Sequence, residues 1–480
     1  DLDTAKSLGG MGRLLIEKDG RTKKWADYCG ESVGFSNRGL FRDAVQQAAR
    51  ALSIGEQTND PEALFFASRD LSYAYYLAGD TAKALEWMER TDVAFKSAGF
   101  RDPMQAATPM MIRGKLMLAT GKYQEALDAS TRSLNAFPFF GYRERVDAAK
   151  LDVAEAQIGL GNEAAALKTI EEIAKSGDSF NKSRAQAEWA KLLLRSGKVA
   201  EANEKASQAV ATSVKEGPLV QAGILKIRAQ AQLQAVDKAG ALTSLESAID
   251  FVSKSRGKFS SAAVRSGLLT SNQSLFDDAI DLAMESGQHE KAIIWSEASK
   301  SQLMLDQLRE RQTVKLPNIQ NLDELVQQSG QTQFLGFHVG SKKSHAWLIE
   351  GGKVRSHTIN IGKSELAKTV EMFRNQIIAG GNTPHTTAQT LYVTLLAPLQ
   401  IAESVPIVVV PSGPLHMLPF QALRTGKGWL AQQTPIRYEM SLAAAVNVDQ
   451  APRRDSLFAV GNPTLSKSEY SLAGSEAEVN

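Results

Sequence analysis

Cysteine is almost missing from this 480-residue chain: Cys29 is the only one, so no internal disulfide can form. One thiol and six scattered histidines cannot assemble a structural zinc cluster. No apolar run reaches the roughly 18 residues that a membrane helix needs. No signal-type apolar segment follows Asp1 either, although a removed leader stays open. An excess of one charge is also lacking. The 55 Lys and Arg against 53 Asp and Glu leave a formal net charge of +2. No global field therefore recruits nucleic acid or a membrane surface, and both partners are disfavoured. Short basic clusters such as Arg21–Lys24 read as solvated faces. Scarce cysteine suits a reducing compartment, so the cytoplasm is the expected location. A disulfide-free exported protein would read the same, and export stays open.

What remains is ordinary for a folded protein, with 43% apolar and 22% charged residues. The length allows two or three domains, each with its own core.

The chain repeats itself over its first 310 residues. A glycine followed five residues later by alanine recurs at Gly39/Ala44, Gly79/Ala84, Gly121/Ala126, Gly161/Ala166, Gly197/Ala202 and Gly287/Ala292. Val236/Ala241 is a further copy without the glycine. The steps are about forty residues, with one longer gap after Ala241. An apolar helix precedes each turn, with a small residue seven positions upstream at Gly114, Ala154, Ala190 and Ala229. The glycine supplies the left-handed backbone that ends the first helix. The alanine lets a second helix press close, and small residues often follow seven later, at Ala51, Ser133, Ala209 and Ala248. Pro138 closes the Gly121 copy, where the helix must stop.

This spacing resembles the tetratricopeptide repeat (TPR), best in GKLMLATGKYQEALDASTRSLNAFP, residues 114–138. The resemblance covers roughly residues 25–308 in about seven units, with steps longer than the usual ~34 residues. Spacing and residue types agree together, which speaks against an unrelated helical solenoid. The resemblance implies a groove that binds a peptide or a protein segment. Tyr73, Tyr75, Tyr76 and Trp87 are candidate groove aromatics, and their helical spacing fits inter-repeat packing as well.

From Ala298, ASKSQLMLDQLRERQ reads as a last helix, and Thr313–Gln320, with Pro317, loses periodicity and reads as a linker. Strand patterns follow. QFLGFHVG (333–340), SHAWLIE (344–350) and KVRSHTI (353–359) are predicted strands, the last two joined by a tight Gly351-Gly352 turn. Ser364 is a predicted cap for a helix bearing Leu366, Val370, Phe373 and Ile377 on one face. A second helix is predicted over Thr387–Ala402. PIVVVP (406–411) and SLFAVGNP (456–463) are buried-strand patterns, and the alternation implies an α/β sandwich.

VVVPSGPLHMLPFQAL (408–423) and SLFAVGNP, downstream of TPR-like repeats, resemble the CHAT family, as does EASKSQLMLDQL (297–308) at the junction. CHAT domains are caspase-like and separase-related. They pair a non-catalytic α/β subdomain with a catalytic one holding a His–Cys dyad. The expected architecture is thus α plus α/β: a TPR-like α-solenoid over 1–310, a linker over 311–330, and a partial caspase-like sandwich. Within that sandwich, 331–450 would be the non-catalytic subdomain, and 451–480 the first strand and helix start of the catalytic one.

The family's ATHG-like histidine and SAC-like cysteine segments do not occur in these residues. Ser475 and Glu478 form a capping box whose helix would stop after about one turn at Asn480. The expectation is a longer polypeptide, or a second chain carrying the catalytic half. A dyad built from Cys29 and His338, His345, His357, His385 or His416 is not expected, since nucleophile and base must be within hydrogen-bond reach. PSGPLH lacks the Gly-x-Ser-x-Gly elbow, and GGNTPH and TGKG lack the full P-loop pattern, so those glycines read as turn formers. No catalytic or metal-ligating residue is assigned. No cofactor is called for, because cysteine-based acyl transfer needs none. Two functions follow. One is the partner-sensing and non-catalytic portion of a cysteine protease acting on proteins; the other is a non-enzymatic TPR scaffold with a pseudo-protease fold.

Overall fold

The computed structural model describes residues 24–37, 41–77, 80–100, 103–137, 143–256, 272–300, 332–379, 384–442 and 444–445. The linker, SLFAVGNP, the Ser475/Glu478 capping box, Gly39, Gly79 and Pro138 lie outside them.

Fourteen helices form seven antiparallel pairs among the described residues. They are α1 (Lys24–Asn37), α2 (Phe41–Thr58), α3 (Pro61–Leu77), α4 (Thr81–Ser97), α5 (Pro103–Ala119), α6 (Tyr123–Ala136), α7 (Arg143–Gly159) and α8 (Glu163–Ser176). Then come α9 (Ser179–Arg195), α10 (Val199–Thr212), α11 (Pro218–Gln234), α12 (Lys238–Arg256), α13 (Gln273–Glu285) and α14 (His289–Lys300). Pro61, Pro103 and Pro218 open first helices, where the missing N–H costs nothing.

The repeat arithmetic is met residue by residue. Turn residues Gly121, Gly161, Gly197, Val236 and Gly287 sit at φ 74°, 84°, 73°, 63° and 71°. Ala44, Ala84, Ala126, Ala166, Ala202, Ala241 and Ala292 are all fully buried, as are Ala51, Ser133, Ala209 and Ala248. At Gly114 a Cβ would lie 2.3 Å from Ser130 Oγ, so the small residue is there for approach. The N–H of the residue after each turn returns to the first helix, as from Lys198 to Leu193 O at 2.9 Å.

Val236 is the exception that tests the turn. It is 82% exposed and β-branched, yet holds a left-handed backbone. Val236→Gly should therefore stabilise the array by roughly 0.5–1 kcal/mol, because the strain relieved exceeds the extra freedom glycine gains when unfolded. A denaturant midpoint that stays put or falls would show that Val236 is not strained.

The second unit is a five-stranded sheet of order β3-β2-β1-β4-β7. Its strands are β1 (Gln333–Val339), β2 (Ser344–Glu350), β3 (Lys353–Ile359), β4 (Ile407–Val410) and β7 (Ile436–Tyr438). The first three are antiparallel neighbours, whereas β4 pairs in parallel with both β1 and β7. Gly351 and Gly352 have φ 54° and 76°, the tight turn their spacing implies. A small hairpin, β5 (Arg424–Thr425) and β6 (Gly428–Trp429), absorbs TGKG as a turn.

Two helices, α15 (Lys363–Ile378) and α16 (Pro384–Leu395), cover one side of the sheet. Leu366, Val370 and Phe373 of α15 pack there with Leu335, Phe337, Leu348 and Val409. Three expectations are corrected. Gly362, not Ser364, is the N-cap of α15. Ile377 is 40% exposed rather than on the buried face. The second helix ends at Leu395, not Ala402: a 3-10 turn over Ala397–Leu399 contains Pro398, and Gln400 turns left-handed at φ 52°. The other side of the sheet is covered by the solenoid. Phe334, Trp347, Ile349, Val408 and Val410 meet Ile293 of α14, with Leu442 and Ala445. The second layer of the sandwich is thus the last repeat.

Candidate functional site

In each first helix, positions thirteen, nine or ten, six and two before the turn residue fall on one stripe, by the 3.6-residue period. The stripes of α5, α7 and α9 are tied together by charge. Asp152 of α7, 1% exposed, accepts from Lys115 Nζ of α5 at 3.0 Å and from Arg184 Nη2 of α9 at 2.6 Å. Arg184 also donates through Nε to Glu155 at 3.0 Å. Burial alone would raise the Asp152 carboxyl, but Lys115 and Arg184 outweigh it and hold it below the usual range. Farther on, Lys226 of α11 reaches Asp278 of α13 at 3.2 Å.

Tyr73 of α3, six residues before Gly79, joins this stripe, and the Tyr76 ring stacks beside it at 6.5 Å. Burial raises both phenols, countered in part by Arg145 at Tyr73 and Arg184 at Tyr76, so both stay protonated donors. Tyr73, Tyr75 and Tyr76 also pack on the core of Met88, Ile112 and Leu116, which is the packing reading of those aromatics. Trp87 lies off that core, under the Arg90 guanidinium at 4.6 Å.

On α13 the stripe is already filled. Asp277, Asp281 and Glu285, ten, six and two residues before Gly287, take up the β1–β2 hairpin. His338 Nε2 is 3.1 Å from Asp277 Oδ1, and the Ser341 N–H donates to Asp277 Oδ2 at 3.0 Å. His345 Nε2 is 2.7 Å from Asp281 Oδ1, and Lys343 Nζ donates to Glu285 at 2.9 Å. Each carboxylate only accepts, so each imidazole carries its proton on Nε2. Helix α14 continues the junction. Glu297 accepts the Leu442 N–H at 2.8 Å, Lys300 Nζ stands 3.9 Å from Glu297 and 5.3 Å over the Trp347 ring, and His289 Nδ1 meets Ser356 Oγ at 3.1 Å. Burial pushes the Lys300 ammonium down to about 8 although Glu297 pulls it up. Burial likewise raises Glu297 and lowers His338.

The remaining candidates stand apart. Cys29 is buried in the first pair, where burial and Asp70 push its thiol up, the opposite of an activated nucleophile. His385 is exposed and stacks on Trp429; His416 is at the surface of the 3-10 turn Gly413–Met417; His357 is half-buried on β3. Among the described residues no three His, Cys, Asp or Glu side chains are grouped to hold a metal, and no helix is long and apolar enough to cross a membrane. The acidic stripe of α13 was missed from sequence. Its signal was present as acids at i, i+4 and i+8 opposite two histidines that face each other across HVGSKKSH.

Residues 385–480 match the CHAT domain. Within the CHAT match lie α16 from its second residue, β4 and the PSGPLHMLPF turn, while β1–β3 and α15 precede it. No curated protein matches the chain. Solved structures similar to it include the quorum sensor NprR from B. thuringiensis in its apo form, with 12% identity over 63% of this chain and 96% of that one, at a TM-score of 0.42. A Rap protein complexed with Competence and Sporulation Factor matches at 15% identity over 63% and 81%, TM-score 0.44. The yeast Tom70 matches at 14% over 64% and 60%, TM-score 0.31.

Proposed function

We propose that the helical array is the partner-sensing portion of a CHAT-type, caspase-like cysteine protease, and that the docked sheet is its non-catalytic half. The partner is a protein or peptide segment lying along the stripe shared by the first helices. The observation that carries this reading is the reuse of that stripe. From α5 to α9 its positions form cross-helix ion pairs, and on α13 the same positions hold the sheet. A ligand laid along the stripe would therefore meet the element that supports the CHAT domain, which gives binding a route to the sheet. The catalytic histidine and cysteine would lie beyond residue 480 or on a second chain, and the site of expected action is the cytoplasm.

The test is the intact mass of the protein purified from its native source, followed by labelling with a thiol-directed peptide probe. The expected result is a polypeptide longer than these residues, or a co-purifying second chain, whose cysteine labels and whose labelling is lost on Cys→Ala. A lone species of these 480 residues that does not label leaves the second reading, a TPR scaffold whose pseudo-protease fold only binds.

A further inference from the structure

The two halves of the junction between solenoid and sheet are made differently. At one end of the sheet's solenoid-facing side, Phe334, Ile349, Val408 and Val410 close on Ile293, Leu442 and Ala445, an apolar contact. At the other end the facing rows are His338 beside His345 and Gly336 beside Trp347. Here Ser296 Oγ, Lys300 Nζ, His338 Nδ1 and Trp347 Nε1 are buried with no hydrogen-bond partner among the described residues. An unpaired buried polar atom costs free energy that water returns on exposure. Among the described residues, Lys300 has only the Glu297 carboxylate at 3.9 Å and an aromatic face to replace its hydration. An interface built to stay closed would be apolar or fully paired. This one is neither, yet the sheet carries its own core on its far side.

We propose that the polar half of this junction is a reversible latch, in which the hairpin leaves α13 and α14 while the sheet stays intact, and that acid opens it. The latch deepens the sensing role proposed above, and its test needs neither a ligand nor protease activity.

The groups facing His338 are Asp277 from α13, Lys300 from α14 and His345 from β2. Around them, Asp281 holds His345, Glu285 holds Lys343 and Glu297 faces Lys300. Burial is the main reason that docked His338 resists a proton; Lys300 and His345 add like charge, and Asp277 pulls the other way. With its docked value below the ordinary 6.5, His338 contributes docking stability that is full above pH 6.5 and is lost as the pH falls through the docked value. Lys300, lowered to about 8 from 10.5, acts in the same direction at higher pH. Glu297, raised by burial, opposes both at the acid end.

One main-chain amide of the hairpin reports the latch directly, because it donates across the polar half to a carboxylate: Ser341 to Asp277. Hydrogen exchange of the full chain should show it exchanging at least about tenfold faster than the Val408 and Val410 amides of β4, the mark of a partial opening. Lowering the pH from 7.5 to 5.5, after correction for intrinsic rates, should widen that gap. His338→Gln keeps a neutral donor for Asp277 and should abolish the widening. Exchange of Ser341 at the β4 rate would overturn the latch, since the junction would then open only by unfolding the sheet. A gap that acid does not widen in the wild type would overturn the acid release.

Discussion

Asp152→Ala should lower the stability of the repeat array by about 3 kcal/mol, the scale on which removing one partner of a buried ion pair acts. The carboxylate is 1% exposed and serves two cations from two neighbouring helices, themselves 17% and 19% exposed. Without it, Lys115 loses its partner outright, whereas Arg184 keeps Glu155. Asp152→Asn retains one acceptor oxygen and should cost roughly half as much. The apolar pair Lys115→Met with Asp152→Leu should recover much of the loss, because the stranded ammonium is then gone too. Denaturant midpoints of the three variants measure this. The pH dependence is also set. The folded carboxyl lies below its ordinary 3.8, so its contribution is present above pH 3.8 and is lost as the pH falls through the depressed value. The gap between wild type and Asp152→Ala should thus stay constant near neutrality and narrow only in acid. A loss under about 0.5 kcal/mol would mean that the ladder between α5, α7 and α9 contributes nothing and that the array is held by its small-residue contacts alone.

Those contacts are why the solenoid was legible. Each repeat buries its face only against its neighbours, so the determinants of Ala126 or Ala202 lie within one or two helices of them in sequence. Glycine and alanine five residues apart describe a turn and a close approach, and both are local events. The strands were legible for a related reason: IVVV must be buried on both sides, and two consecutive glycines admit few turns other than a tight hairpin. The site was not legible, because its pairs are remote. His338 meets a residue 61 positions away, and Leu442 one that is 145 positions away. Periodicity reports which face of an element is apolar, not which element covers it. The alternation of helices and strands implies a sandwich without saying which helices form each layer, and α14 contributes to the second one. The error at Ser364 has the same origin. Lys363 N–H donates to Gly340 O, and a Cβ at Gly362 would lie 2.2 Å from Ser341 O, so the helix start is fixed by the hairpin against which it packs.

Gly336→Ala should be the most damaging single methyl group in the sheet, at about 3 kcal/mol, the upper end for overpacking a filled core. The added Cβ would fall 2.1 Å from Trp347 Nε1 and 2.8 Å from its Cδ1. The indole is fully buried and cannot retreat, with β1 beneath it and Lys300 standing over its other face. The requirement at Gly336 is one of space, since its neighbours Leu335 and Phe337 point into the core on the far side of the sheet. Trp347→Phe removes the edge that collides and also an indole N–H that has no acceptor among the described residues. By itself it should cost about 1–2 kcal/mol, for the smaller ring leaves a cavity under α14. Combined with Gly336→Ala, it should return most of the alanine's penalty, giving a coupling above about 1 kcal/mol in a double-mutant cycle. Additive losses would place the strain somewhere other than the indole edge. Because the indole lies between strand and helix, Gly336→Ala should also loosen the Leu442 amide while leaving the pairs from α1 to α10 unchanged. Loss of protection throughout the array would instead mean that solenoid and sheet unfold as one cooperative body.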